Sequence, residues 1–566
     1  MRLLLSILLL GLAAGSAAAQ EGETRIVTIV NADSVSGAIV DGQRVRTLIG
    51  RVHLLQDSTD LRARRATQFL EREEILFEGN VEIADGADTL NAREVTYSTR
   101  TKVGNAVGDV RIADDESELF SRTATFFRAQ HRARFDEPVR LVEREGEAVL
   151  TSERGTYRTD TKEAFFEENV RLVDSTSTLT SDRGRYGTED KRADFYGNVR
   201  LVQPPGTALD ADSLTHFRDT ELSYAYGNVR VERFGGSEDD DAEAEPDSTR
   251  RTLLFGGEAF HDARADYSRV ERDPLLVRLN TDSMGVTDTL LIRADVLEVS
   301  QPDSLAGRSL PSGATLQRLL ARRNVRVWGA ELAAAADSAV FDRVEFEADA
   351  TGEAAQPVRD VTRLYRGPVA WLNARGSRVF TEVSGDSIWV GARSESVDTV
   401  RVTGRAFAAR PDSALGRIHQ IRGRQMLVLF ARDSLRWMKV WPNAESIYFR
   451  ADASGALKGA VQFSADSLAF RFRGDDLRDV RGVSGIEGTY YDLGLIPEPL
   501  RLEGYRYNPE RRPTRAVLLA DNPLLLPYQL PPSPVEVPMP PDSVGIAPPA
   551  TAEDVDATER GIFERD

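Results

Sequence analysis

Five histidines (His53, His131, His216, His261 and His419) are the chain's whole supply of imidazole, and there is no cysteine. A zinc or nucleophile site needs such groups at fixed spacing on one helix or hairpin. No two of these histidines stand at that spacing. His261-Asp262 with Asp266 is the nearest thing to a cluster and reads as solvated surface. The acidic run Glu238-Asp239-Asp240-Asp241 would attract a cation, but it lacks the ordered ligand loop that calcium requires. There is no Gly-x-Ser-x-Gly elbow, phosphate loop or dinucleotide fingerprint. With 90 acidic residues, carboxylates are abundant enough to supply a pair for glycan cleavage, but an acidic protein carries such an excess without any catalytic role. The sequence therefore offers no catalytic residue, no metal site and no cofactor site.

The formal net charge of −18 leaves no basic stripe for nucleic acid. Without cysteine there is no disulfide framework, no thiolate metal site and no acylated cysteine behind a leader. Residues 1–19 read as a secretory signal peptide: Arg2, an apolar run Leu3–Leu12, and Ala17-Ala18-Ala19 before Gln20. The run is too short to span a bilayer, so cleavage near Ala19 is favoured over an uncleaved anchor.

The elements that would position any site announce themselves by repetition. A phrase centred on valine recurs at Val52, Val81, Val110, Val139, Val170, Val199 and Val229, at steps of 29, 29, 29, 31, 29 and 30 residues. A fixed period of this size marks stacked repeats. Two residues on stand Leu54, Ile83, Ile112, Leu141, Leu172, Leu201 and Val231, and the residue between is charged or polar. Apolar returns at a spacing of two make a strand with one buried face. Two residues before the valine stands glycine at Gly79, Gly108, Gly197 and Gly227, the mark of a bulge or bend within a strand. A second phrase, such as Leu90-x-Ala92 leading to Tyr97, completes a unit of two strands that must stack to close a core. Stacking aligns the valines and their neighbours in columns. Those columns are either ordinary packed core or, if the walls splay, the lining of an apolar groove.

The periodic region covers residues 25–234, followed by an acidic linker or loop at 235–250. A weaker copy spans 251–350 and contains a short helix at Leu316–Arg322. A further strand-rich block spans 351–521. From Asn522 to 566 proline dominates and an extended or disordered tail is expected.

The Phe77-Glu78-Gly79-Asn80-Val81-Glu82-Ile83 phrase, restated at Phe166–Leu172, Phe195–Leu201 and Tyr226–Val231, resembles the OstA-like family. That family holds the periplasmic lipopolysaccharide-transport protein LptA and the N-terminal domain of its outer-membrane partner LptD. Trp441–Phe449, Ile496–Tyr505 and Arg511-Arg512-Pro513 resemble segments of long OstA-like proteins of the Bacteroidota, with Trp441-Pro442 where glycine is usual. The resemblance implies an all-β fold, a repetitive, open-ended antiparallel β-jellyroll. It implies lipopolysaccharide as ligand, other bridge and outer-membrane proteins as partners through end-to-end strand pairing, a periplasmic location, and no enzymatic activity. The groove candidates are then Phe77, Val81, Ile83, Val110, Ile112, Val139, Leu141, Val170, Leu172, Val199 and Leu201. Two alternatives stay open: an exported β scaffold or adhesin without lipid, and a β-helix enzyme acting on polysaccharide.

Overall fold

Alternating apolar residues pair strand to strand from Thr28 to Asp492. The computed structural model describes residues 27–530, apart from 57, 87, 114–116, 144–147, 159, 188–189, 204–205, 236–246, 282–284, 306–307, 311–313, 347–358, 373–379, 394–395, 432–433, 474–475, 521 and 526–529. The signal-peptide segment, the acidic run and residues 531–566 lie outside the described residues. Within them, 36 strands join into one antiparallel sheet. The all-β class and the repeated strand pairs expected from the sequence are what the chain forms.

The unit is visible in strands Glu74–Asp85 and Asp88–Ser98, where Phe77 faces Val95, Val81 faces Ala92 and Ile83 faces Leu90. Between them the ladder skips: Glu78 pairs with Glu94 and Val81 with Ala92, so Gly79 and Asn80 together face Arg93. Both skipped residues are left-handed, at φ 80° and 51°. Glycine adopts this region freely and asparagine tolerates it better than most residues. Space enforces the choice as well, because a Cβ on Gly79 would stand 2.9 Å from Cβ of Arg64. The same two-residue corner recurs at Gly108-Asp109, Gly197-Asn198 and Gly227-Asn228, and without glycine at Glu168-Asn169 and Arg323-Asn324.

Several corners are latched by a side chain. Asn198 Nδ2 donates to Asp182 Oδ2 at 2.9 Å, Asn228 Nδ2 to Asp212 Oδ2 at 3.0 Å and Asn324 Nδ2 to Asp295 Oδ1 at 3.0 Å. Arg51 and Arg405 make the equivalent pairs with Asp33 and Asp386.

Each corner divides its strand between two facing walls. Wall A takes the segments before Gly-Asn, such as Glu74–Glu78. Wall B takes those after it, such as Val81–Asp85. The strands flanking residues 236–246 belong to one ladder: strand Asp247–Asp262 pairs with Leu222–Gly235, with Val231 opposite Leu254 and Ala225 opposite Ala259.

Two sequence expectations are corrected. Leu316–Arg322 is no helix but part of strand Ala314–Trp328, because Leu319 and Ala321 are claimed by cross-strand partners on both sides, Val299 and Phe341, Leu297 and Val340-flanking Ala339. Cross-strand packing there overrides local helix preference. Among the described residues the strands also end at Asp492, short of residue 521.

The chain then forms a strap over the outer face of wall B. Leu502 is buried against Phe407, Ile447 and Phe449, with Leu500, Tyr505 and Tyr507 beside it. Gln420 accepts the Leu502 N–H at 2.9 Å, and Asn508 N–H donates to Glu382 at 3.0 Å. Arg512 stacks over Phe380 at 3.8 Å. The short helix Arg515–Leu519, capped by Thr514, and the turn Pro523–Leu525 bury Leu518 and Leu525 against Leu253, Phe255, Leu275 and Val277. The described start of the tail is thus packed rather than extended.

Candidate functional site

Cross-strand registers trace the inner rows of both walls. On wall A one row runs Phe195, Leu214, Ala225, Ala259, Val270, Leu297, Ala321, Ala339 and Leu364, each directly opposite the next. On wall B the corresponding row runs Leu201, Leu209, Val231, Leu254, Leu276, Ile292 and Val327. These two rows are thus apolar from strand to strand.

The space between the rows changes along the chain. From Leu48 to about Leu214 the inner side chains form one closed cluster. From Leu141 onward, overlapping the end of that cluster, a cavity of about 1130 Å³ opens between the walls and reaches Thr362. This exceeds the ~300–1,000 Å³ of a common small-molecule pocket. Its floor near the corners is apolar, with Leu172, Leu201, Leu254 and Leu276 on wall B and Phe195, Leu214 and Val270 on wall A.

Towards the mouth the lining turns polar. Glu143 closes from wall B onto wall A, where the Tyr186 hydroxyl donates to its Oε1 at 2.7 Å. Arg218 donates to the same carboxylate and, at 3.3 Å, to the Tyr186 oxygen. Burial first, then the Glu143 carboxylate, push the Tyr186 hydroxyl well above its ordinary range, so it stays a proton donor. His216 also lines this region, and burial, with Arg218 nearby, holds its imidazole below the ordinary value.

The candidates named from the sequence divide between the two regions. Phe77, Val81, Ile83, Val110, Ile112, Val139, Val170 and Val199 are buried in the closed cluster. Leu141, Leu172 and Leu201 line the cavity. Among the described residues no group of three or more His, Asp or Glu is placed to hold a metal ion. His53 pairs with Asp60 at 2.8 Å, and His419 stacks on Tyr448.

Sequence reasoning missed the second half of the lining, from Leu254 to Phe341, and the mouth residues Glu143, Tyr186 and Arg218. His261, expected on solvated surface, is exposed but looks into the cavity. The signal that could have found these positions is parity: Tyr186, His216 and His261 share the inward register of neighbours such as Ala193 and Ser223.

No helix of the described residues is long and apolar enough to cross a membrane. No curated protein matches the chain. Residues 24–182 match the family described as OstA-like protein, and the rest of the sheet continues the ladder of that span.

Proposed function

We propose that the chain is a periplasmic lipid conduit: acyl chains of lipopolysaccharide lie between the two walls, and the open ends of the sheet pair with other bridge and outer-membrane proteins. The observation that carries this reading is the cavity, about 1130 Å³ with an apolar floor, between rows that run on across many strands. Exposing an acyl chain of about a dozen carbons to water costs on the order of 10 kcal/mol, at ~0.8 kcal/mol per CH₂. A shielded apolar path removes most of that cost while the mouth keeps polar groups hydrated.

The end strands support the bridging half of the reading. Strand Ser34–Val40 is exposed throughout, with Val35 at 68% and Ile39 at 75%. At the other end Val483, Ile486 and Leu495 are exposed beside strands Asp476–Val483 and Glu487–Asp492. Unpaired, apolar edges are templates for strand addition. The OstA-like match and the signal-peptide reading of residues 1–19 agree with a periplasmic setting.

The test is site-specific photocrosslinking in cells. A photoreactive residue at Leu172, Leu201 or Leu254 should capture lipopolysaccharide, while one at the outward Arg140 should not. Equal capture from both faces, or capture from Arg140 alone, refutes the groove. The closed interior from Leu48 to Leu214 favours a second reading, a rigid scaffold without cargo. That reading predicts no lipid in mass spectra of protein purified without detergent.

A further inference from the structure

One stretch of wall A breaks the apolar character of its inner face. In the second row from the corners, His216 stands opposite Ser223, Ser223 opposite His261, and His261 opposite Ser268. Four neighbouring strands thus supply His, Ser, His, Ser in line. At ~4.8 Å per strand the row is about 14 Å long. The same row holds Tyr157, Ala164, Tyr186 and Ala193 on one side and Val299, Leu319 and Phe341 on the other.

The row is bonded internally in pairs: His216 Nδ1 lies 3.0 Å from Ser223 Oγ, and His261 Nδ1 lies 2.9 Å from Ser268 Oγ. That arrangement uses one nitrogen of each ring. All four residues line the cavity. Cornerward of them the row is apolar (Leu214, Ala225, Ala259, Val270), and mouthward stand Arg218, Glu221, Ala263 and Asp266. On the wall opposite, the row nearer the corners is apolar, with Leu209, Val231 and Leu254, and the row beyond it carries Thr207, Arg233 and Thr252.

We propose that this row is a station for the uncharged, hydroxyl-bearing part of a glycosylated acyl lipid, whose hydrocarbon lies on the floor and on wall B. The inference rests on the lipid-groove reading and adds the position and chemistry of the polar contact. Hydroxyl groups both donate and accept, as neutral imidazole and serine do. A phosphate or sulfate fits less well, because six carboxylates and five guanidiniums along the lining leave no positive excess. A cationic head finds no stacked aromatic cage in the row itself.

The full chain is titrated with octyl β-glucoside, octyl sulfate and octyltrimethylammonium, all with the same tail, and separately with the apolar fluorophore N-phenylnaphthylamine. The glucoside should bind tightest. S223A/S268A and, as a second pair, H216L/H261L should weaken it roughly tenfold, about two uncharged hydrogen bonds' worth, and leave the fluorophore unchanged. Tighter binding of octyl sulfate or octyltrimethylammonium, or glucoside affinity untouched by both pairs, overturns the station while the groove stands. Failure of the fluorophore to bind at all overturns the groove itself, and the station with it.

Discussion

Ile83 and Leu201 occupy the same position of the repeat, two residues after its central valine, and differ in what surrounds them. Ile83 is 0% exposed inside the closed cluster, whereas Leu201 is half-buried and lines the cavity. Ile83→Ala would remove three carbons from a filled interior, which costs about 2–5 kcal/mol from lost transfer energy and the void left behind. Leu201→Ala would remove a side chain that already lacks partners on one side, and about 1 kcal/mol is expected from the area still covered. In a stacked-repeat sheet a global melting point blurs such differences, so the readout is amide exchange in strands Glu74–Asp85 and Arg192–Gln203. At 1.4 kcal/mol per factor of ten, local protection should fall roughly thirtyfold or more around Ile83 and about fivefold around Leu201. The opposite change separates the sites again: Leu201→Trp should fold and block lipid capture from Leu254, while Ile83→Trp should be overpacked by ~1–3 kcal/mol or more. Equal losses of protection at the two alanine variants would refute the division into closed and open interior.

The remaining predictions concern buried titratable groups. Glu382 is buried, accepts from the Trp371 indole at 2.9 Å and from Asn508 N–H, and desolvation raises its pKa above the ordinary value. Its contribution is therefore full below the unfolded value near 4.5 and is lost as pH rises through the raised folded value. Glu382→Gln should hold the strap at neutral pH at least as well as wild type, whereas Glu382→Ala should loosen it by about 1–3 kcal/mol, both read by limited proteolysis between residues 496 and 525. His419 accepts the Phe449 N–H at Nδ1 over 3.2 Å, and burial holds its pKa below 6.5. The unfolded chain then binds the proton first, so stability should fall as pH drops below about 6.5. His419→Asn should flatten that part of the thermal-stability profile, and an unchanged slope would show that the ring titrates alike in both states.

The repeat, the strand parity and the bend at Gly79, Gly108, Gly197 and Gly227 were legible because they are local: a period of two and a residue without Cβ. What fills the space between columns was not. Val81 and Leu201 obey one pattern, yet one meets packed neighbours and the other a cavity, and that depends on how far the walls splay. The strap was hidden for a different reason. Leu253-Leu254-Phe255 and Leu275-Leu276-Val277 are apolar without alternation, which signals cover on both faces. The cover comes from Leu518 and Leu525, far along the chain, and nothing local names it. Leu316–Arg322 misled because its leucines fall at helical spacing while their partners lie on two other strands.

The corners have a mechanical consequence. Because strands such as Glu74–Asp85, Arg192–Gln203, Leu222–Gly235 and Ala314–Trp328 each contribute one segment to each wall, the two walls are a single ribbon creased along a line of left-handed pairs. They cannot part by sliding or by losing contacts on one side. Widening the space between them means opening many creases together, several of them held by an asparagine or arginine latch. On the lipid-conduit proposal, a guest enters along the uncreased margin or from an end, and its passage leaves the backbone ladder intact.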